Sequence, residues 1–445
     1  MGGEAAEDRV LEQYEQYPYP KRDPEEEGFR LVVREAEYLA RINHHLFGGR
    51  EAFQGPFRIL IAGGGTGDDA IFLAEQLRGR PAEIVYVDPS QPSLAIARSR
   101  AVRRGLDNIA FHQGRIQDLE PGRWGLFDYI CCIGVLHHLP DPPAGLKQLA
   151  SVLSERGGMG FLLYATHGRR GLYQVQRLLR LVNGTGMKLG RQVENALTAI
   201  GGLLPTHPFF RFGKPAELLD FYRRDPIELV DAVLHAQDTS YTVPELYALV
   251  EGAGLKLVDF THWSPYTAVY RMHYRPSFYT VDPKLRAQMA ALPRRVQQEI
   301  GELMHGSIDL HAFYVSRRED AAARIRDPDM VPFLMLGPAQ IALSDQALTL
   351  TDNLSRTVSV NLPPGGRALI AAIDGSRTVP GIVEEAGHTL GAASPGPMVL
   401  RAMLEELYEI LLGYGLMLLR HRSVPPFKSF DDHYYLAAGW RPPAS

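Results

Sequence analysis

A glycine-rich turn joins an apolar run to two acids in "RILIAGGGTGDDA", residues 58–70. Gly63, Gly65 and Gly67 follow the pattern G-x-G-x-G. Because only glycine lets a ligand approach the backbone this closely, such a turn between a strand and a helix usually binds a nucleotide. A dinucleotide fingerprint would need glycine at position 68, where the chain has Asp68, and no lysine follows to complete a phosphate-binding P-loop. The turn therefore predicts a different nucleotide-like ligand.

The two acids at the start of the predicted helix narrow the choice of ligand. A pyrophosphate at a helix N-terminus needs bare N–H groups, and Asp68 and Asp69 are expected to repel it. A ligand with an adenosyl group, no phosphate and positive charge fits better. S-adenosylmethionine has a ribose, a sulfonium and an ammonium group, so we expect it as the cofactor.

A third acid follows the next predicted strand. Asp88 ends "IVYVDPS", about 20 residues beyond the glycines, where an acid in this architecture binds the ribose hydroxyls. The alternative is that Asp88 only caps the following helix. The segment "FDYICCIGVLHHLPDP" places a further strand and turn at the same edge of the sheet, where open α/β sheets bind ligands.

Composition limits the class of protein. The chain has 445 residues, which predicts two or three compact units, and its 45% hydrophobic content is ample for a core. A net charge of −4 argues against non-specific nucleic-acid binding. Adjacent Cys131 and Cys132 point to opposite faces of an apolar strand, so we expect two buried thiols and no mutual disulfide. Without a signal peptide, a membrane-spanning segment or metal-site spacing, the sequence predicts a soluble, cytoplasmic protein with no metal.

The positions that carry this chemistry fall within one alternating pattern of strands and helices. The alternation predicts an α/β fold, a doubly wound and mostly parallel sheet with helices on both faces. We expect an aromatic helical arm over 1–54, a sheet domain over 55–319 and an accessory module over 331–445. Insertions at 168–236 and 266–308 interrupt the alternation and are expected to form a helical cap over the C-terminal edge of the sheet.

Four segments together resemble the class I S-adenosylmethionine-dependent methyltransferases. They are "ILIAGGGTG", "VYVDPSQPSLAIAR", "FDYICCIGVLHHLPDPPAGLKQLASVLSERGGMGFL" and "HAFYVSRR". The resemblance covers roughly 57–165, 240–264 and 310–318, and its specificity comes from the order and spacing of the segments. It implies a Rossmann-like methyltransferase fold and S-adenosylmethionine as cofactor.

The resemblance also implies roles for single residues. Gly63, Gly65 and Gly67 would line the cofactor and Asp88 would hold its ribose. The backbone around Ile133 and Gly134 would lie near the methionine moiety.

Two positions depart from the family pattern. The family often has an acid two residues before the first glycine, where this chain has Ile61. The family also commonly has an aspartate after the third strand that accepts a hydrogen bond from the adenine amine. The matching residue here is Arg115, which has no acceptor atom. Adenine recognition would then fall to the backbone near Ile116, to Gln117 or to Asp118, and we favour Asp118.

Histidines near the strand ends are the candidates for catalysis. A hydroxyl acceptor needs a general base, and His137, His138 and His262 are suitably placed in the sequence. The alternative is that these histidines only pack against the cofactor or face solvent. An amine acceptor needs only the loss of a proton, and the sequence does not choose between the two.

The arm and the last module leave further alternatives open. Tyr14, Tyr17 and Tyr19 in the arm either form a lid over the acceptor pocket or pack on the domain. The segment "LIAAIDGSRTVPGIV" gives the last module an α+β or winged-helix-like pattern, which suggests a protein partner or a homodimer.

The sequence predicts a methyltransferase with a small-molecule or peptide acceptor under the cap, and no nucleic-acid or membrane partner. The alternative is a non-catalytic S-adenosylmethionine-binding regulatory protein whose acceptor pocket is blocked by its own tyrosines or cap.

Overall fold

A single large sheet organises the first three quarters of the chain. The computed structural model describes residues 2–261, 271–280, 282–336, 340–351 and 357–427. Within these ranges the strands of the large sheet are β1 (Phe57–Ala62), β2 (Ala82–Asp88), β3 (Ile109–Gln113), β4 (Phe127–Ile133), β5 (Leu153–Ala165), β6 (Ser240–Tyr241), β7 (Lys256–Phe260) and β8 (Leu310–Ser316).

Helices precede the sheet and connect its strands. They are α1 (Gly2–Gln16), α2 (Leu39–Leu46), α3 (Asp68–Gln76), α4 (Gln91–Arg104), α5 (Pro121–Trp124), α6 (Pro142–Ser151), α7 (Arg170–Asn183), α8 (Leu189–Gly201), α9 (Pro215–Arg224), α10 (Pro226–Val233), α11 (Val243–Gly252), α12 (Pro283–Ala290) and α13 (Arg294–His305).

The strand order reverses beside β1. The sheet runs β3-β2-β1-β4-β5-β8-β7, with β6 paired to the end of β5. Strands β1 to β6 pair in parallel, and β8 is antiparallel to both β5 and β7. In open α/β sheets the crevice at such a reversal, outside the carboxyl ends of the strands, is the place where ligands bind. The doubly wound, mostly parallel sheet predicted from the alternation is confirmed.

Both faces of the sheet are buried, which explains the continuous apolar runs of its strands. In β1, Leu60 belongs to the hydrophobic cluster on one face and Ile59 to the cluster on the other. In β4 the same alternation separates Cys132 from Cys131, and both thiols are buried and free. The prediction of two core cysteines without a mutual disulfide is confirmed.

The cap expected from the first insertion is built by α7 to α10. These helices have a hydrophobic cluster of their own, which includes Leu172, Ile200, Tyr222 and Leu229. Helix α7 is amphipathic, with Leu172, Val175 and Leu179 buried, and its spacing of three and four residues puts them on one face. The cap is therefore an independent layer above the sheet, linked to it through β5 and β6.

The last part of the chain combines antiparallel strands with three helices. Strands β9 (Met330–Leu334) and β13 (Met417–His421) pair with each other, and β10 (Ile341–Leu343), β11 (Ala347–Thr351) and β12 (Thr357–Asn361) form a second small sheet. The helices are α14 (Gly366–Ala371), α15 (Val379–Leu390) and α16 (Pro397–Gly413).

The apolar cluster of this last part continues into the earlier chain. It includes Tyr38 beside α2, and Ile71 and Phe72 from α3. The boundary predicted near 331 therefore crosses a shared core. The expected partner or second copy at this module stays a prediction. In the described part of the chain, no helix combines the length and apolarity that a bilayer span needs.

Candidate functional site

A cavity of about 510 Å³ lies at the carboxyl ends of β1 to β5. Its lining begins at residues 114–117 after β3 and passes Asp88 and the glycine turn. It continues past residues 133–135 after β4 and reaches Tyr164 and Arg169 after β5. Because neighbouring strands are about 4.8 Å apart, this floor spans roughly 19 Å. The volume lies within the usual range for small-molecule and cofactor sites, about 300–1,000 Å³.

The glycine turn is held in place by the arm and by β2. Gly65 has φ +53°, and its N–H donates to Asp88 Oδ2 at 2.8 Å. The Tyr86 hydroxyl donates to the Gly65 carbonyl. The carbonyl oxygen of Tyr19 in the arm accepts from the N–H of Thr66 at 3.2 Å. The turn is thus fixed from both sides before any ligand binds.

Asp88 lines the cavity as a buried carboxylate. Its Oδ1 accepts from the N–H of Ser90 at 2.8 Å, while Ser90 itself caps α4. Asp88 is therefore not the helix cap considered as its alternative. Burial raises the pKa of Asp88 to about 6, although the backbone N–H groups of Ser90 and Gly65 act in the opposite direction. A carboxylate with one N–H on each oxygen retains lone pairs, so it fits the two hydroxyls of a ribose.

Replacing Asp88 by asparagine is expected to weaken S-adenosylmethionine binding by about 1.5–3 kcal/mol, because charge-assisted hydrogen bonds to the ribose are lost. In the wild type, protonation of Asp88 competes with binding, so affinity is expected to fall as the pH drops through about 6. Asp88→Asn is expected to lack this titration. Calorimetry across that pH range tests both points, and equal affinities would remove Asp88 from the site.

Among the three glycines predicted to line the cofactor, Gly67 has a different position. Gly63 and Gly65 line the cavity, whereas Gly67 is not among its described lining residues. Gly67 caps α3 with φ +100°, and a Cβ there would lie 2.8 Å from the Cβ of Ala97. Its evident role is to let α3 pack closely on α4.

The acid that opens α3 does not face the ligand as an unopposed charge. Asp68 is held by Arg22 through Nε (2.8 Å) and Nη2 (2.6 Å), by Arg34 (2.7 Å) and by Arg100 (2.8 Å). Burial alone would raise the pKa of Asp68, but Arg34, Arg22 and Arg100 together hold it well below its ordinary value. The expectation that Asp68 repels a phosphate is therefore corrected, because three guanidinium groups neutralise it. No local pattern indicated this network, since its members lie 32 to 46 residues from Asp68.

At the adenine end of the cavity, the lining includes Arg115, Ile116 and Gln117. Ile116 is buried, whereas the side chain of Asp118 is exposed and is not among the described lining residues. Arg115 Nη2 lies 3.9 Å from Asp8 Oδ1 in the arm. Of the alternatives for adenine recognition, this geometry favours Gln117 and the backbone near Ile116 over Asp118.

At the methionine end, Ile133 and Gly134 both line the cavity as the resemblance implies. Gly134 has φ +74°, and a Cβ there would point into open space. The residues present therefore fit S-adenosylmethionine: a carboxylate for the ribose, an open glycine after β4, and apolar Ile116 at the opposite end.

The histidine pair after β4 is buried, and both ring nitrogens of His138 are hydrogen-bonded, whereas His137 Nδ1 has no hydrogen-bond partner among the described residues. His138 lines the cavity, and His137 is not among the described lining residues. His138 Nδ1 donates to the carbonyl of Gln237 (2.9 Å), so its Nε2 accepts from His137 Nε2, 3.0 Å away. Burial lowers the pKa of His138 to about 3 and that of His137 well below its ordinary value. His262, the third candidate, lies outside the described residues.

The structure brings a carboxylate to the cavity that sequence reasoning missed. Asp231 in α10 lines the cavity, and its Oδ1 accepts from the hydroxyl of Tyr14 at 3.1 Å. His235 Nε2 lies 3.1 Å from the same hydroxyl. Tyr14 and Tyr19 of the predicted lid line the cavity, and Tyr17 is not among its described lining residues. Because 217 residues separate Tyr14 from Asp231, no local signal could have paired them.

The pKa of Asp231 is shifted towards neutrality. Burial and the nearby Glu228 raise it to about 7, although the hydroxyl of Tyr14 and the charge of Arg169 act in the opposite direction. Asp238 adds a smaller increase. A general base works best with a pKa near the working pH. The raised pKa of Asp231 meets this condition, whereas the lowered pKa values of His137 and His138 do not.

A buried group of three side chains, His138, Asp231 and His235, has the composition of a metal site. Each offers one ligand atom within 4.8 Å of the others. The N–H of Gln237 donates to His235 Nδ1 at 3.1 Å, so the proton of neutral His235 is on Nε2, facing Tyr14. With these nitrogens already engaged, the arrangement is typical of a hydrogen-bond relay more than of a metal centre.

Comparison with known proteins matches the part of the chain that forms this site. Residues 60–159 match a family model described as a methyltransferase domain. An uncharacterised protein of Synechococcus sp. is 34% identical over 230 residues, 49% of this chain and 52% of that protein. A ubiquinone biosynthesis O-methyltransferase of Acinetobacter baylyi is 23% identical over 174 residues, 39% of this chain and 64% of that enzyme. The chain thus spans between half and two thirds of the length of these curated relatives.

The likeness to solved structures extends over most of the chain. PKMT2 from Rickettsia typhi, in complex with AdoHcy, has a TM-score of 0.59 and 16% sequence identity, and the match covers 86% of this chain and 75% of that one. At this identity the likeness concerns the fold alone. It extends well beyond the residues that match the family model.

Proposed function

Since the chain carries a class I S-adenosylmethionine-dependent methyltransferase domain, we propose that it transfers a methyl group to a small-molecule or peptide acceptor. The observation that supports this most is the continuity of the cavity. It runs from the ribose-binding carboxylate of Asp88 to the separate carboxylate of Asp231. A donor site and a proton acceptor therefore share one enclosed space.

S-adenosylmethionine, when bound, supplies a methyl group on a positively charged sulfur that needs no further activation. The protein's part is to position the acceptor and to exclude water. Asp88 and the glycine turn hold the cofactor at β1 and β2. Tyr19 of the arm and the helices of the cap close the cavity on the opposite side, and Tyr164 forms its floor after β5.

Asp231 is the base in this proposal. It accepts the proton from an acceptor hydroxyl or ammonium group as the nucleophile forms. The hydroxyl of Tyr14 fixes the carboxylate through Oδ1, and His235 in turn contacts that hydroxyl. The groups that face Asp231 also include Glu228, Arg169 and Asp238.

Replacing Asp231 by asparagine is expected to lower methyl transfer about 10²–10⁴-fold, the usual contribution of a general base. S-adenosylmethionine affinity is expected to stay within about twofold of the wild type, because Asp231 forms no hydrogen bond with Asp88 or the glycine turn among the described contacts. The wild-type rate is expected to rise with pH through about 7, since only the carboxylate form accepts a proton. Asp220→Asn, an exposed acid on α9, is the matched control. A full rate in Asp231→Asn would remove this residue from catalysis.

The activity itself is tested with S-adenosylmethionine labelled in its methyl group, incubated with metabolite extract and separately with cell protein. Label in small molecules or in protein identifies the acceptor class. Binding of the cofactor without label in either fraction would instead support the non-catalytic regulatory protein.

A further inference from the structure

Arg169, at the start of α7, is a buried cation at the cavity that forms no ion pair with a carboxylate among the described residues, although the charge of Asp238 acts on it. Its side chain lines the cavity, and the residue is only 7% exposed. Nε and Nη2 have no hydrogen-bond partner in the described part of the chain. A guanidinium remains charged at neutral pH, and burying it without an anion is strongly unfavourable. A side chain in this state is typical of a site that a ligand completes.

The surroundings of Arg169 fix its position. Its guanidinium carbon lies 3.4 Å from the centroid of the Tyr164 ring, and the other neighbouring ring, Tyr173, is 5.8 Å away. The backbone is tightly packed at Gly168, where a Cβ would lie 2.1 Å from the carbonyl oxygen of Ile308. Stacking of this kind leaves the edge of the guanidinium plane available for hydrogen bonds.

The two nitrogens without partners form one edge of the guanidinium, and that edge matches a carboxylate. The same chain shows the completed arrangement at Asp68, which Arg22 holds through Nε and Nη2. In Arg169 the same pair of donors, Nε and Nη2, is buried and has no partner among the described residues. Two parallel N–H···O bonds of this kind are the usual mode of arginine–carboxylate recognition.

Local charge favours a carboxylate over a phosphate. Two acids, Asp231 and Asp238, interact electrostatically with Arg169, and Asp231 lines the same cavity. These acids would repel a group with two negative charges more strongly than a group with one. The nearby Asp238 accepts from Gln176 Nε2 at 3.0 Å and forms no ion pair with Arg169 among the described contacts.

The position of Arg169 in the sheet separates it from the cofactor's end. Arg169 follows β5, and β5 lies two strands beyond β1, which leads into the glycine turn. That distance is about 10 Å along the sheet. We propose that Arg169 binds a carboxylate group of the acceptor, so that the acceptor is an organic acid held at one end by this arginine. The role as an acceptor site rests on the proposed methyl transfer, whereas carboxylate binding does not.

The test uses the full-length protein saturated with S-adenosylhomocysteine and two probe pairs: acetate with acetamide, and benzoate with benzamide. Each pair has nearly the same shape and differs in charge. In calorimetric titration, at least one carboxylate is expected to bind about tenfold or more tightly than its amide. Arg169→Gln is expected to abolish that preference. Arg169→Lys is expected to restore only part of it, because lysine lacks the coplanar pair of N–H donors of a guanidinium. Arg177→Gln, an exposed arginine on the same helix, is the control.

Three results would overturn the proposal. The first is a wild-type protein that binds no carboxylate more tightly than its amide, a result that does not depend on whether the variants fold. The second is an Arg169→Gln protein that keeps the preference. The third is an Arg169→Gln protein whose S-adenosylmethionine affinity falls as much as its carboxylate affinity, since Arg169 would then belong to the cofactor.

The labelled extract separates this proposal from the proposed function. When methylated products are fractionated by anion exchange, the label is expected in the retained, anionic fraction, and Arg169→Gln is expected to lose it. Label in neutral or cationic products alone would contradict an organic-acid acceptor. A carboxylate preference without any labelled product would instead contradict methyl transfer and leave the binding site in place.

Discussion

Asp68→Ala is expected to destabilise the folded protein by about 3–5 kcal/mol, the range found when one partner of a buried ion pair is removed. Asp68 is almost fully buried and is the common partner of Arg22, Arg34 and Arg100. Without it, Arg100, itself 1% exposed, keeps only Glu27 as an acidic partner among the described contacts. The variant loses one negative charge where buried Arg100 meets the partly buried Arg22 and Arg34.

Urea unfolding followed by circular dichroism measures this effect. The control is Asp220→Ala on α9, whose ion pair with Arg223 is exposed. Exposed pairs contribute about 0–1 kcal/mol, so the control is expected to unfold close to the wild-type midpoint. Equal shifts in the two variants would show that the Asp68 network contributes no more than a surface ion pair.

Gly65→Val is expected to reduce S-adenosylmethionine affinity more than about 100-fold, or about 2.7 kcal/mol. Gly65 has φ +53°, a conformation that a β-branched residue rarely adopts. A Cβ at this position would also lie 2.5 Å from the carbonyl oxygen of Tyr19. The substitution must therefore move the arm or the turn, and either movement breaks the N–H bond from Gly65 to Asp88.

Calorimetry with S-adenosylmethionine measures the loss, and circular dichroism shows whether the variant is folded. Gly190→Val is the control, because Gly190 is exposed and a Cβ there would meet no atom within 4 Å. A folded Gly65→Val protein with wild-type affinity would show that the turn does not form the cofactor site.

The domain boundaries predicted from the sequence imply that a chain truncated at residue 331 still folds. The shared core implies instead that this truncation destabilises the fold. Phe72 and Ile71 on α3 belong to the same apolar cluster as the last helices. Removing 331–445 would expose these side chains directly behind the glycine turn. The charged residues near 320–330 mark a change in amino-acid composition, but they do not mark the boundary of a hydrophobic core.

The sequence by itself determined the parts of this protein that depend on local order. The parallel sheet follows from the alternation of apolar strands with amphipathic helices, because each helix buries its apolar face against the sheet. The glycine turn and Asp88 were predicted at one edge because consecutive parallel strands end on the same side of a sheet. Cys131 and Cys132 were assigned to opposite faces by the period of two along a strand.

Only the tertiary structure decided which distant side chains meet at that edge. It pairs Asp68 with three arginines, joins Asp231 to Tyr14 across 217 residues and places Arg169 beside Tyr164 without an anion. It also showed that His137 and His138 are buried, which lowers the pKa of both imidazoles and makes them poor bases. The physical reason is that hydrogen bonds, ion pairs and the pKa shifts of buried groups depend on distance in space. The sequence pattern encodes only distance along the chain.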